Sequence, residues 1–166
     1  TSVWPLLNEE ASSGVTLHEM DAGADTGPVV GQRLFPIPPY MTARQLYETY
    51  MDEALMLFRE WFPVLLKERP PARAQDEADA SAYTRASLDL SKCEIDFDLP
   101  AQRVCSFVRA FTFPEYQLPT IAGRAVRSAA ALPGVHPRPA GSRLSETPYS
   151  TVFVAGDGGL VEVIWA

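Results

Sequence analysis

The chain has 166 residues, 46% of them apolar, and a formal net charge of −7; that is length for one domain or one and a half, with side chains enough for a core. Residues 1–69 carry 5 basic and 10 acidic groups and the remainder 9 and 11, so neither part has the cationic excess that counterion release on a nucleic acid requires. No run of 18 apolar residues is present to cross a bilayer, two histidines are too few for a histidine-rich metal centre, and Cys93 and Cys105, twelve apart, read as reduced thiols of a cytoplasmic protein.

The opening residues, TSVWPLLNEE, have no initiator methionine and no basic-then-apolar leader, and they begin in mid-pattern. They read as the interior of a longer protein. GVTLHEM (14–20) alternates apolar and polar residues as a strand does, and PVVGQRLFPI (28–37) reads as a second strand. Between them lies a loop from Asp21 to Gly27. Residues 41–69 carry the strongest helical pattern. Thr42 and Gln45 form a capping box there, and Met41 is placed to staple onto Leu46. Leu46, Tyr50, Ala54, Leu57, Phe58, Trp61 and Leu65 recur at three- and four-residue steps and predict a broad buried stripe, with Pro63 a kink near the end.

Residues 69–82 are polar, Ala-rich and punctuated by proline, as an extended linker is. A shorter helix is predicted over 99–111, with Asp98 as its N-cap and Pro100 in the first turn. Residues 120–132 predict a hairpin or a strand with a glycine turn, and 133–148 a long Pro-rich loop. Two final strands are joined by Gly156-Asp157-Gly158-Gly159, a strong hairpin signal.

The loop DAGADTG (21–27) holds the one chemically suggestive tripeptide, Asp25-Thr26-Gly27. An aspartic protease needs two such carboxylates sharing a proton. Here no second Asp-Thr/Ser-Gly exists, Gly23-Ala24 precede the aspartate, and Pro28 follows the glycine, so a homodimer would have to supply the partner. Locally the simplest account is a turn, since aspartate bonds its own backbone and glycine takes positive φ.

The wider context adds a third account. SGVTLHEMDAGADTGPVVGQRLFPI (13–37) resembles the formyltransferase family that uses 10-formyltetrahydrofolate, which includes methionyl-tRNA formyltransferase, glycinamide ribonucleotide transformylase and the sugar N-formyltransferases. The resemblance continues in SVWPLLNEE, in the helix over 41–69, in KCEIDFDLPAQRVCSFVRAFTFPEY (92–116) and in the closing hairpin VFVAGDGGLVEVIWA (152–166). It implies an α/β fold: the C-terminal half of a Rossmann-like formyltransferase domain over 1–69, a linker and entry segment over 70–98, and a small β-rich, OB-like domain over 99–166.

For function, the resemblance implies transfer of a formyl group from 10-formyltetrahydrofolate, as co-substrate and without metal, to a primary amine. Asp25 matches the aspartate of the family's Asn-His-Asp trio, where it orients and charge-stabilises the histidine. Asp21, Ala22, Gly23 and Ala24 match the loop whose backbone lies against the pterin ring. The trio's Asn and His belong to a segment that would precede Thr1, so the 166 residues are expected to be inactive alone. His18 lies within the strand pattern and is expected to be structural. Arg109 is either a substrate contact or half of a structural ion pair. The acidic balance and RAFTFPEY favour the amine of a nucleotide-linked amino sugar over methionyl-tRNA, with no nucleic-acid or membrane partner. An alternative of another class is a non-catalytic module that binds a partner or forms a homodimer through an exposed strand.

Overall fold

Helix α1 (Val3–Leu7) leads into β1 (Ser12–His18), and the chain returns antiparallel as β2 (Val29–Pro36). Helix α2 (Ala43–Leu65) covers this pair, and α3 (Ala101–Phe111) leads to five strands: β3 (Thr120–Ile121), β4 (Arg124–Val135), β5 (Arg143–Glu146), β6 (Ser150–Val154) and β7 (Gly159–Trp165). This computed structural model describes residues 2–76, 83, 87–88 and 93–166. The fold is mixed α/β, as expected. Both sheets are antiparallel: β1-β2, and β3-β4-β7-β6-β5.

Two apolar cores form, and α3 serves both. Val104, Cys105 and Val108 pack with Val126, Phe153, Val161, Val163 and Trp165 of the five-stranded sheet. Ala110 and Phe111, one turn on, pack with Leu6, Phe35, Ala43 and Leu46. A short amphipathic helix can do this because its apolar positions here nearly encircle it. Phe107 touches both cores. Cys93 and Cys105 are buried and not joined in a disulfide, as expected.

The capping box on α2 is present: Gln45 N–H donates to Thr42 Oγ1 (3.4 Å) and Thr42 N–H to Gln45 Oε1 (2.9 Å). The helix stops at Leu65, short of the predicted 69, two residues past Pro63. The predicted stripe is buried only in part. Leu46 is fully buried and Leu57 nearly so, whereas Ala54, Phe58 and Leu65 are exposed. A two-stranded sheet is too narrow to cover a helix of 23 residues. Met51, Leu55, Met56, Phe62 and Leu66 share that exposure.

Asp98 is not the N-cap of α3. Its N–H donates to Asp96 Oδ1 (2.9 Å), and Pro100 takes the cap position with no side-chain bond of its own. Asp157, in the β6–β7 turn, supplies the acceptor: its Oδ1 receives the N–H of Ala101 (3.2 Å) and of Gly159 (2.9 Å). The hairpin glycines fit their places, Gly158 standing at φ 77°. The Pro-rich stretch over 133–148 is not all loop. β4 runs through Pro133 and Gly134, which occupy an irregularity between Leu132 and Val135 where the ladder needs no donor, and β5 begins at Arg143. The predicted linker over 69–82 lies partly outside the described residues; its described part, to Asp76, is tied to the β1–β2 loop. No helix among the described residues is long and apolar enough to cross a membrane.

Candidate active site

The loop between β1 and β2 is built by three local devices. Asp21 closes an Asx-type turn, its Oδ1 accepting the Gly23 N–H (3.0 Å) and the Thr26 hydroxyl (2.7 Å). Those two bonds, that from Thr26 foremost, hold the Asp21 carboxyl below its ordinary value. Gly27 passes so close to the Glu19 carbonyl that a Cβ there would collide with backbone. At Gly23 the space of a Cβ is filled by the Thr26 hydroxyl.

A second strand of chain clamps the loop from outside. Arg73 and Val29 exchange both backbone bonds (2.7 and 2.8 Å). Gln75 Nε2 donates to the carbonyls of Asp25 (2.7 Å) and Gly27 (2.6 Å). Arg69 forks onto the Glu19 carboxylate (2.8 and 2.5 Å) and lowers its pKa through that contact.

Asp25 sits at the tip with φ 59°, a left-handed conformation that aspartate tolerates better than most residues. Its side chain is 95% exposed and makes no bond to its own turn. That task falls to Asp21 alone. The group facing Asp25 is His18, whose Nε2 lies 3.6 Å from Asp25 Oδ1. His18 Nδ1 is 2.8 Å from the Glu19 carbonyl. A carbonyl only accepts, so Nδ1 carries the proton and Nε2 is the atom presented to the carboxylate.

Sequence reasoning set His18 aside as structural, and the structure brings it to the one exposed carboxylate of the loop tip. The signal was the hairpin register: a bulge pairs Leu17 with Gly31 but His18 with Val29, turning His18 to the loop base. Asp21, Ala22, Gly23 and Ala24 stand together as an exposed bend. The backbone groups of Ala22 and Ala24 have no hydrogen bond to another described residue. Two cavities among the described residues are not lined by Asp25. One, of about 410 Å³, lies between Arg44, Tyr47, Phe113, Glu115 and Tyr116; the other, of about 480 Å³, lies between α3 and β4. Arg109 is in the second. It has no carboxylate within salt-bridge distance among the described residues: Nη2 donates to Ser106 Oγ (3.1 Å) and Nη1 to the Met41 carbonyl (3.5 Å). Burial pushes its guanidinium below the ordinary value.

No family model matches the sequence. Solved structures do match, end to end. The N-formyltransferase of Helicobacter canadensis, determined in complex with folinic acid and dTDP-3-aminofucose, superposes with a TM-score of 0.87 at 28% identity, over 99% of this chain and 60% of that one. WlaRD, a sugar 3N-formyltransferase determined with dTDP and 5-N-formyl-THF, gives 0.86 at 28% identity, over 99% of this chain and 58% of that one. HypX of Aquifex aeolicus, in complex with tetrahydrofolic acid, shares the fold at 17% identity and a TM-score of 0.71. The chain thus spans about 60% of the length of the sugar N-formyltransferases it matches, and over that length it has their fold.

Proposed function

We propose that this chain is part of an enzyme that transfers a formyl group from 10-formyltetrahydrofolate to the primary amine of a nucleotide-linked amino sugar. The observation that carries the proposal is the end-to-end likeness to a sugar N-formyltransferase holding both a formylated folate and a dTDP-amino sugar. The β1–β2 pair with α2 is read as the rim of a Rossmann-like domain, and β3 to β7 as a small OB-like domain.

The bend at 21–24 fits a pterin edge, because Ala22 and Ala24 offer free backbone donors and acceptors beside a residue without a side chain. The folate supplies an electrophilic formyl carbon on N10. The chain's own contribution is Asp25. Of the family's Asn-His-Asp trio it is the aspartate, holding negative charge where a catalytic histidine takes a proton from the attacking amine. We assign the asparagine and histidine to residues outside these 166, which alone then transfer nothing. His18 Nε2 faces the Asp25 carboxylate at 3.6 Å. A net charge of −7 favours a small acceptor over tRNA.

The test is Asp25→Asn in the intact enzyme, assayed with a dTDP-amino sugar. Formyl transfer should fall by about 10²–10⁴-fold, with the thermal midpoint unmoved because the side chain supports nothing in the fold. Undiminished turnover would remove Asp25 from the mechanism.

A further inference from the structure

Five of the chain's arginines, Arg33, Arg44, Arg69, Arg103 and Arg143, each face a carboxylate within salt-bridge distance. Arg109 and Arg127 are among those that face none among the described residues, and both line the cavity of about 480 Å³ between α3 and β4. Arg109 is half-buried and spends only two of its donors, on Ser106 and the Met41 carbonyl. Its nearest acid, Glu9, is reached only through the Ser106 hydroxyl, which donates to Glu9 Oε1 (2.8 Å). Arg127 makes no hydrogen bond or ion pair with another described residue. Gln102 on α3 and Ser128 on β4, which also line it, likewise have side chains without a described partner.

Among the described residues no acidic side chain lines this cavity, in a chain with 21 acidic residues. Five consecutive residues of β4, Arg127 to Ala131, form one side of it. A strand showing every residue rather than alternate ones presents its edge. β3 pairs only with Arg124 and Ala125, so that edge has no strand partner beyond them.

The geometry points to this cavity as a binding site for a phosphate-class oxyanion, held between the Arg109 and Arg127 guanidiniums with Gln102 and Ser128 as further donors. Two forked cations on opposite walls match an ion with several equivalent oxygens, and diphosphate offers more of them than a carboxylate does. The ion has two chemical sources: free phosphate or pyrophosphate, and the diphosphate of a nucleotide. The inference does not rest on Asp25 or on formyl transfer.

Calorimetric titration of the chain with pyrophosphate, and separately with thymidine diphosphate, tests it. Saturable binding that weakens at least about tenfold in Arg127→Gln, and falls at higher salt, is the expected result. Arg127 is exposed, so its loss leaves the fold intact, and an unchanged melting curve verifies this. Arg109→Lys, which keeps the charge but loses the fork, should also bind more weakly. Tighter binding of thymidine diphosphate than of pyrophosphate assigns the site to a nucleotide; equal binding assigns it to the phosphates alone. Absence of saturable binding of both, or unchanged affinity in Arg127→Gln, overturns the site. Asp25→Asn should bind both ions as the unaltered chain does, so loss of one proposal leaves the other standing.

Discussion

Two aspartates four residues apart divide the labour of one loop. Asp21 bonds the turn, and Asp25 is held out of it by glutamine contacts to its carbonyl. The division has a consequence in pH. A carboxylate whose folded pKa is depressed contributes stability above its unfolded value and loses it as pH falls through the folded value. For Asp21 the ordinary value is 3.8 and the folded one lies below it, mainly because of Thr26. The turn should therefore persist through pH 3.8 and open only in stronger acid. The Gly23 amide resonance, followed by NMR, should titrate with a midpoint below 3.8, and Thr26→Val should move that midpoint upward. A midpoint at or above the ordinary value in the unaltered chain contradicts the assignment. The position of Asp25 in a turn was legible in the sequence, because aspartate and glycine carry turn chemistry locally. The approach of His18 was not, since it depends on a bulge that shifts the β1–β2 register.

At the scale of elements, what the sequence announced depended on where each element finds its partners. The capping box of α2 is local, and Thr42 and Gln45 form it as predicted. Its buried stripe is not local: Phe58 and Leu65 have the right spacing, yet the two-stranded sheet leaves both exposed. Pro133 looked like a strand breaker, yet it rides in β4 at a place where the ladder to β7 skips. The cap of α3 shows the same limit, because its acceptor comes from Asp157, 56 residues on. Asp157 joins two elements, since the carboxylate that caps α3 also orders the β6–β7 turn through Gly159. Asp157→Ala should lower stability by about 1 kcal/mol, the ordinary worth of an N-cap, whereas Asp98→Ala should be close to neutral. Urea denaturation of the two variants checks the ranking, and equal losses would return the cap to Asp98. On the other face, Gly31 lies under the Trp61 indole with no room for a Cβ. Gly31→Ala should displace the ring, shift its fluorescence and cost about 1–3 kcal/mol.

For the molecule as a whole, the sequence suggested a catalytic-domain piece over 1–69, a linker and entry segment over 70–98, and a small β-rich domain from a seam near residue 99 onward. The two cores do not divide there: Ile95 belongs to the core of the five-stranded sheet and Phe111 to the other, and α3 connects them physically. Val108 is buried against the five-stranded sheet, and Phe111, three residues later, is buried against α1, α2 and β2. An 11-residue helix has too few hydrogen bonds to persist with one side stripped. If either core melts, α3 loses half its packing and the other core loses a wall. Unfolding should therefore be a single transition. Val108→Ala and Phe111→Ala remove side chains from different cores, and both should lower the same midpoint, Phe111→Ala by about 3–5 kcal/mol and Val108→Ala by somewhat less. Tryptophan reports on both sides, with Trp4 in α1, Trp61 over Gly31 of β2, and Trp165 in the core of the five-stranded sheet. Fluorescence and far-UV circular dichroism should trace coincident curves in the unaltered chain and in both variants. Two separated transitions, with each variant shifting only one, would show that α3 does not couple the cores and that the seam near residue 99 divides independently folding units.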